Sequence, residues 1–160
     1  MKKYGSIPTA LAFIGFCAVA VVCFLFIRDF VNKRENQARI DEANEVGKLA
    51  DIRVTINGKS YTAISYNSKA TQILLEELPI DLEMDTDGNF KVGFTYFKLP
   101  IEHAKMKTIK MGDIIIIDDS HIAIAAKNFD TDERYTLVGH IENLDSIPGG
   151  RLTVSFMKIE

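Results

Sequence analysis

Eighteen consecutive residues without a charge, Ala10 to Ile27 (ALAFIGFCAVAVVCFLFI), constrain this 160-residue chain more than anything else in it. Extended back to Ile7, the run is 21 residues long, about 31 Å of helix at ~1.5 Å per residue. That length matches a bilayer hydrocarbon core of roughly 30 Å. The sequence therefore predicts a short basic tail (1–6), a single transmembrane anchor (7–27), a charged helical stalk (28–50) and a folded domain (51–160). The rival reading is a cleaved secretory signal, since Lys2 and Lys3 form a positive n-region. It fits less well, because the A-x-A pattern Ala18-Val19-Ala20 lies inside the run and is followed by more apolar residues. A lipoprotein signal fails too, because Phe16 and Val22 precede Cys17 and Cys23 where a small residue is needed.

Flanking charge leaves orientation open. Arg28, Lys33, Arg34 and Arg39 follow the anchor, against Lys2 and Lys3 before it, which taken literally places the C-terminal domain in the cytoplasm. The secretory look of the n-region, and the tendency of long domains to cross regardless of flanking charge, point outward. The expectation is a single-pass protein of the cell membrane with an extracytoplasmic domain, the cytoplasmic placement remaining the alternative. Both cysteines lie in the anchor and say nothing about redox compartment. In the stalk, Glu35 and Arg39 have the i,i+4 spacing of a helical ion pair.

Composition matters only once the chain is divided. The 47% apolar content averages an anchor with an ordinary domain. Residues 51–160 hold 12 basic and 17 acidic side chains, a formal charge of −5. That argues against nonspecific binding of this domain to nucleic acid or anionic lipid, and richness in Ile, Val, Leu and Phe argues against disorder.

Within the domain, Ile52 to Ile56 alternates, Asn57-Gly58 signals a type I′ turn, and Lys59 to Tyr66 returns. A two-residue loop pairs Ile56 with Lys59, Val54 with Tyr61 and Ile52 with Ala63, so Ile52, Val54, Tyr61 and Ala63 are expected core. Ser68 to Leu78 has a capping residue, apolar residues at helical spacing and Pro79 as a stop. Strands are expected at Ile80–Met84 and Phe90–Leu99 around a DTDGN turn, with a loop over Pro100–Lys110. A second hairpin is read as Asp113–Ile117 and Ile122–Ala126, turning through Asp118, Asp119, Ser120 and His121. Tyr135–Ile141 and Arg151–Ile159 complete the set, the last with Leu152, Val154 and Phe156 on one face. Ile114 to Ile117 is apolar throughout and should be covered on both faces. Many short strands with one helix predict a mainly β fold, a small closed barrel.

The order IRVTINGKSYTA, LLEELP, Phe97-Lys98-Leu99-Pro100, GDIIII and YTLVGHIE, with Gly112, Asp113, Tyr135, Leu137 and Gly139 as its most recognisable positions, resembles the bacterial cyclophilin-like fold proteins over about residues 51–159. The resemblance implies an eight-stranded barrel, often without assigned activity and sometimes associated with flavodoxin-type proteins. It also implies prolyl isomerisation by an Arg with Phe, Gln and His neighbours. The matching pattern is missing around Arg53, Arg134 and Arg151.

Other chemistry is offered weakly. His103, His121 and His140 lack metal-ligand spacing, and the His121 turn with Ser120 and two aspartates has no nucleophile elbow. Asp85, Asp87 and Asn89 imitate a calcium loop, but Phe90 and Tyr96 stand where Gly and Glu are required. Asp130, Asp132 and Arg134 fail similarly. No phosphate-binding glycine motif exists. Phe90, Phe94, Tyr96 and Phe97 could line a groove, though core or barrel packing is the plainer expectation. No catalytic, cofactor or metal residue is assigned. The expected function is a membrane-tethered, noncatalytic module that binds lipid through its anchor and a peptide or protein through its domain, with a degenerate prolyl isomerase as the alternative.

Overall fold

The computed structural model describes residues 47–159. The expected tail and anchor, and the expected stalk up to residue 46, lie outside them. No helix among the described residues is long and apolar enough to cross a membrane.

The first hairpin forms as its turn dictates. Strands β1 (Lys48–Ile56) and β2 (Lys59–Tyr66) pair Ile52 with Ala63, Val54 with Tyr61 and Ile56 with Lys59, and Asn57 takes the positive φ (46°) of the turn. The strand starts at Lys48, so Lys48–Ala50, expected as stalk helix, are extended instead. Ser65 Oγ accepts from the Ala50 amide and donates to its carbonyl, which fixes them there. Helix α1 (Lys69–Glu76) is capped by Ser68, whose hydroxyl accepts from the Thr71 amide at 3.0 Å. Its Ala70 and Leu74 join the main core.

Seven more longer or shorter strands follow in order: β3 (Ile80–Asp87), β4 (Phe90–Phe94), β5 (Ala104–Lys105), β6 (Thr108–Ile109), β7 (Asp113–Asp118), β8 (His121–Ala125) and β9 (Phe129–Asp130). Then come β10 (Arg134–Ile141) and β11 (Leu152–Lys158). The main sheet runs β2-β1-β11-β3-β4-β8-β7-β10, and β10 pairs back onto β2, closing an eight-stranded antiparallel barrel. β5 adds to the start of β10, while β6 and β9 form a separate ribbon. Among the described residues the core cluster lies within residues 52–156, and the sheet closes from Lys48 onward. Residues 46–160 thus form a compact unit with its own core and a closed sheet, the properties of a part that folds alone.

Three further expectations are corrected. The expected loop Pro100–Lys110 contains two short strands, β5 and β6. The DTDGN stretch is mostly strand: β3 continues to Asp87, and Gly88 with Asn89 makes the turn. β4 stops at Phe94 rather than Leu99: the Thr95 amide makes the last bond in the β4–β8 register, to the Ser120 carbonyl (2.8 Å), and the chain then leaves it, the Leu99 amide going to the Asp119 carbonyl (2.8 Å). The isoleucine strand is as anticipated at Ile114, Ile115 and Ile116, all fully buried, whereas Ile117 is only half-buried.

Glycine is required at two of the positions that carry the resemblance. A Cβ at Gly139 would lie 2.4 Å from the Ile64 carbonyl oxygen, across the ladder that closes the barrel. Gly112 has φ +89°, and its Cβ would meet the Ile141 carbonyl at 2.9 Å.

Candidate functional site

β4 is inverted relative to its apparent polarity. Its phenylalanines face outward, while Lys91 and Gly93 are buried. Gly93 leaves room for Met84, whose side chain already reaches the place of a missing Cβ. Lys91 is the largest fully buried side chain, with Nζ donating to Thr86 Oγ1 (2.6 Å) and to the Gly150 carbonyl (2.5 Å).

The outward side of β4 and its continuation carry the most prominent surface feature. Phe94 is 52% exposed and Tyr96 93%. The Phe94 ring meets Tyr96 edge-on at 5.6 Å and His121 at 5.5 Å. This ridge is built on ordered backbone. Besides the Thr95 and Leu99 amide bonds, the Thr95 hydroxyl is shared between the Phe97 and Ser120 carbonyls, and Lys98 pairs with Asp119 at 2.8 Å.

His121 belongs to the first position of β8, paired with Asp118 across a two-residue turn. Its Nδ1 lies 2.8 and 2.9 Å from the two Asp118 oxygens, so Nδ1 donates and Nε2 is the nitrogen left for a ligand. The Ser120 backbone amide, and after it His121, hold the Asp118 carboxyl below its ordinary range. Lys98 and then Ser120 do the same for Asp119. Ser120 Oγ contacts Asp118 and Asp119, not His121. The arrangement is thus an oriented imidazole on an aromatic surface, without a serine nucleophile.

The other residues singled out from sequence are dispersed. His103 Nδ1 contacts the buried Thr136 hydroxyl at 3.0 Å, and His140 contacts the fully buried Asp113 at 2.9 Å. Each end of β7 therefore supplies an aspartate to a histidine of the neighbouring strand. No group of three metal-ligating side chains occurs among the described residues. Arg151 grips Asp85 through two nitrogens and Arg134 donates to the His103 carbonyl. Asp130 accepts from Thr108 across the β6–β9 ribbon, and Asp132 pairs with Lys105. Of the four aromatics, Phe94 and Tyr96 are exposed, Phe97 packs against the core, and Phe90 packs edge-on with Phe129 (5.3 Å) and Tyr135 (5.7 Å). Core packing was thus the wrong expectation for Phe94 and Tyr96. Arg53 lines an open cavity of about 430 Å³ with Leu78, Pro79, Met157 and Lys158, which sequence reasoning did not find.

The model of the cyclophilin-like family matches residues 54–156, most of the barrel. This chain belongs to the cyclophilin-like family. Among solved structures, the hypothetical protein AF2241 from Archaeoglobus fulgidus is similar in fold: TM-score 0.51, 14% identity, covering 71% of this chain and 97% of that one. No curated protein matches the sequence. In this cyclophilin-like chain the glycines of the GD and VGH motifs are explained by the close approaches at Gly112 and Gly139, so those motifs report barrel construction rather than chemistry.

Proposed function

We propose that this protein is a noncatalytic binding module, tethered to the cell membrane by residues 7–27 with its barrel outside, and that the Phe94–Tyr96–His121 ridge receives a peptide or protein partner. The observation that carries the reading is a large aromatic surface held out to solvent by an ordered loop. An aromatic side chain 93% exposed gains nothing for the fold where it stands, whereas exposed aromatics on a fixed scaffold are the usual anchors of recognition. An isomerase is less well supported. Arg134 and Arg151 are engaged elsewhere, and no arginine contacts the ridge among the described residues.

An X-Pro peptide isomerisation assay at micromolar protein tests the noncatalytic reading: no acceleration is expected, and acceleration abolished by F94A or H121A would replace it with the enzyme. For recognition, partners cross-linked to the full chain in membranes should be lost in Y96A, a substitution expected to change stability by no more than about 0.5 kcal/mol. Retention of every partner by Y96A and F94A would rule out the ridge. Protease shaving of intact cells tests placement, since survival of the barrel until lysis would put it inside.

A further inference from the structure

Six large apolar side chains are exposed among the described residues, and they fall into two groups. Phe94, Tyr96 and Ile101 belong to the ridge and its loop. Leu49, Met157 and Ile159 belong to β1, β11 and the residue after it. In the β1–β11 ladder Met157 is opposite Arg53, and Lys158 is opposite Ile52. Arg53, Met157 and Lys158 line the open cavity of about 430 Å³, with Leu78 and Pro79 as its remaining wall.

The two cations are uncommitted. Neither Arg53 nor Lys158 has an ion pair or side-chain hydrogen bond among the described residues. The two nearest carboxylates on the same and neighbouring strands have other partners: Asp51 holds Lys48, and Asp81 accepts from Ser155. In a domain of net charge −5, two cations lining one cavity with exposed Met157, and with exposed Leu49 and Ile159 on the same two strands or the residue after them, run against the average. That pairing suits an anion carried on an apolar body: cations for phosphate oxygens, aliphatic groups for the level just beneath them.

We propose that this patch is a contact for the anionic phospholipid surface of the membrane. The proposal rests on the tethered reading above, and two features favour a lipid surface over a free ligand. The patch flanks the first half of β1, the strand through which the preceding 46 residues join the barrel. A tether also supplies a high effective concentration, so a weak patch suffices. Each cation near an anionic surface is worth about a fivefold gain in partitioning, so the pair contributes about 25-fold.

The test is co-sedimentation of the barrel, residues 46–160, with vesicles of phosphatidylcholine alone or with about a third phosphatidylglycerol. Partitioning at least about tenfold stronger onto the anionic vesicles, weakened by salt, and brought down to the phosphatidylcholine level in the R53Q/K158Q double variant, is expected. Both positions are exposed, so circular dichroism of the variant should match the parent. Equal partitioning onto the two vesicles, or an unaffected double variant, overturns the proposal. Preference for polyglutamate over anionic vesicles also overturns it, in favour of an acidic protein partner. Carbonate extraction of the full chain separates the two readings. Extraction into the soluble fraction, with barrel binding intact, removes the anchor and supports the patch. Resistance to extraction, with no barrel binding to vesicles, keeps the anchor and removes the patch.

Discussion

Replacing Gly139 by alanine strikes the ladder that closes the barrel. The new Cβ would lie 2.4 Å from the Ile64 carbonyl oxygen and 3.3 Å from Ser65 Cα, both on β2. Relief to even a tight contact requires β10 and β2 to separate by about 0.6 Å, which stretches an ordinary ~2.9 Å hydrogen bond to the limit of usefulness. The ladder there is short, pairing only Gly139 with Ser65, His140 with Ile64 and Ile141 with Ala63, extended by the Glu142 amide on the Thr62 carbonyl. Losing two or three of these bonds, at about 1 kcal/mol each with some groups left buried and unpaired, outweighs the ~0.4–1 kcal/mol that alanine gains by restricting the unfolded chain. The net expectation is destabilisation of about 2–4 kcal/mol, a fall in Tm of roughly 8–16 °C for a domain of this size. Thermal denaturation by circular dichroism reads it, with two controls. Gly149 has open space and an ordinary φ, so G149A should be neutral or slightly stabilising. Gly58 has open space but φ +84°, so G58A should cost about 1 kcal/mol of backbone strain. A G139A protein melting within about 2 °C of the parent, or no less stable than G58A, would refute the steric account.

Three further outcomes follow from the same structure. Lys91→Ala should destabilise by about 2–4 kcal/mol, and Lys91→Met clearly less, because methionine restores the buried stem while leaving Thr86 and the Gly150 carbonyl without their donor; equal urea midpoints for the two would show that the stem is unimportant. The Asp118 carboxyl is held below its ordinary value by the Ser120 amide and His121, so the folded state binds fewer protons there than the unfolded one. Its stabilisation is complete above the unfolded pKa near 4 and is lost as pH falls through the lower folded value; D118N should flatten the acid limb of a stability–pH curve, and an unchanged limb would contradict it. Burial, and then Glu133, push the Tyr135 phenol up to about 12. The folded state there keeps its proton longer, so this contribution is present below pH ~10 and lost as pH rises toward the folded value. Ultraviolet titration should show the high-pH phenolate step vanish in Y135F and move downward in E133Q; a step that survives Y135F would refute the assignment.

Local patterns carried much of the fold. Asn57-Gly58 with alternating flanks determined the first hairpin to the residue, and Ser68 with Pro79 bracketed the helix, because turn and cap chemistry act over a few neighbouring residues. Closure was legible only as an inference from the isoleucine strand, and the β10–β2 ladder that performs it involves residues far apart in sequence. β4 read poorly. In Phe90-Lys91-Val92-Gly93-Phe94 the alternation was visible, but which face lies inside is decided by Met84 and by the Gly150 carbonyl, both supplied by other strands and loops. The same nonlocality hid the ridge. Phe94 and Tyr96 continue the outward alternation of Phe90 and Val92 with Thr95 buried between them, and nothing in the stretch itself says that this face stays open to solvent. Asp113 and His140 each lay in a recognisable motif, yet nothing in either stretch announced that they would touch.

The position of β1 has a consequence for how the protein is made. Its two neighbours in the barrel are β2, which follows immediately, and β11, which begins only at Leu152. As the chain leaves the ribosome, the first hairpin must therefore wait with β1 open on one side, and with β2 open on the other until β10 appears. Those open edges are rich in Ile, Val and Tyr, the composition that invites pairing with the wrong strand. β11 also pairs with β3, so its arrival completes two ladders together. Assembly is consequently late and all at once rather than progressive. A polypeptide interrupted before Leu152 would present two unpaired strands, and so be a substrate for quality control rather than a slightly weakened barrel.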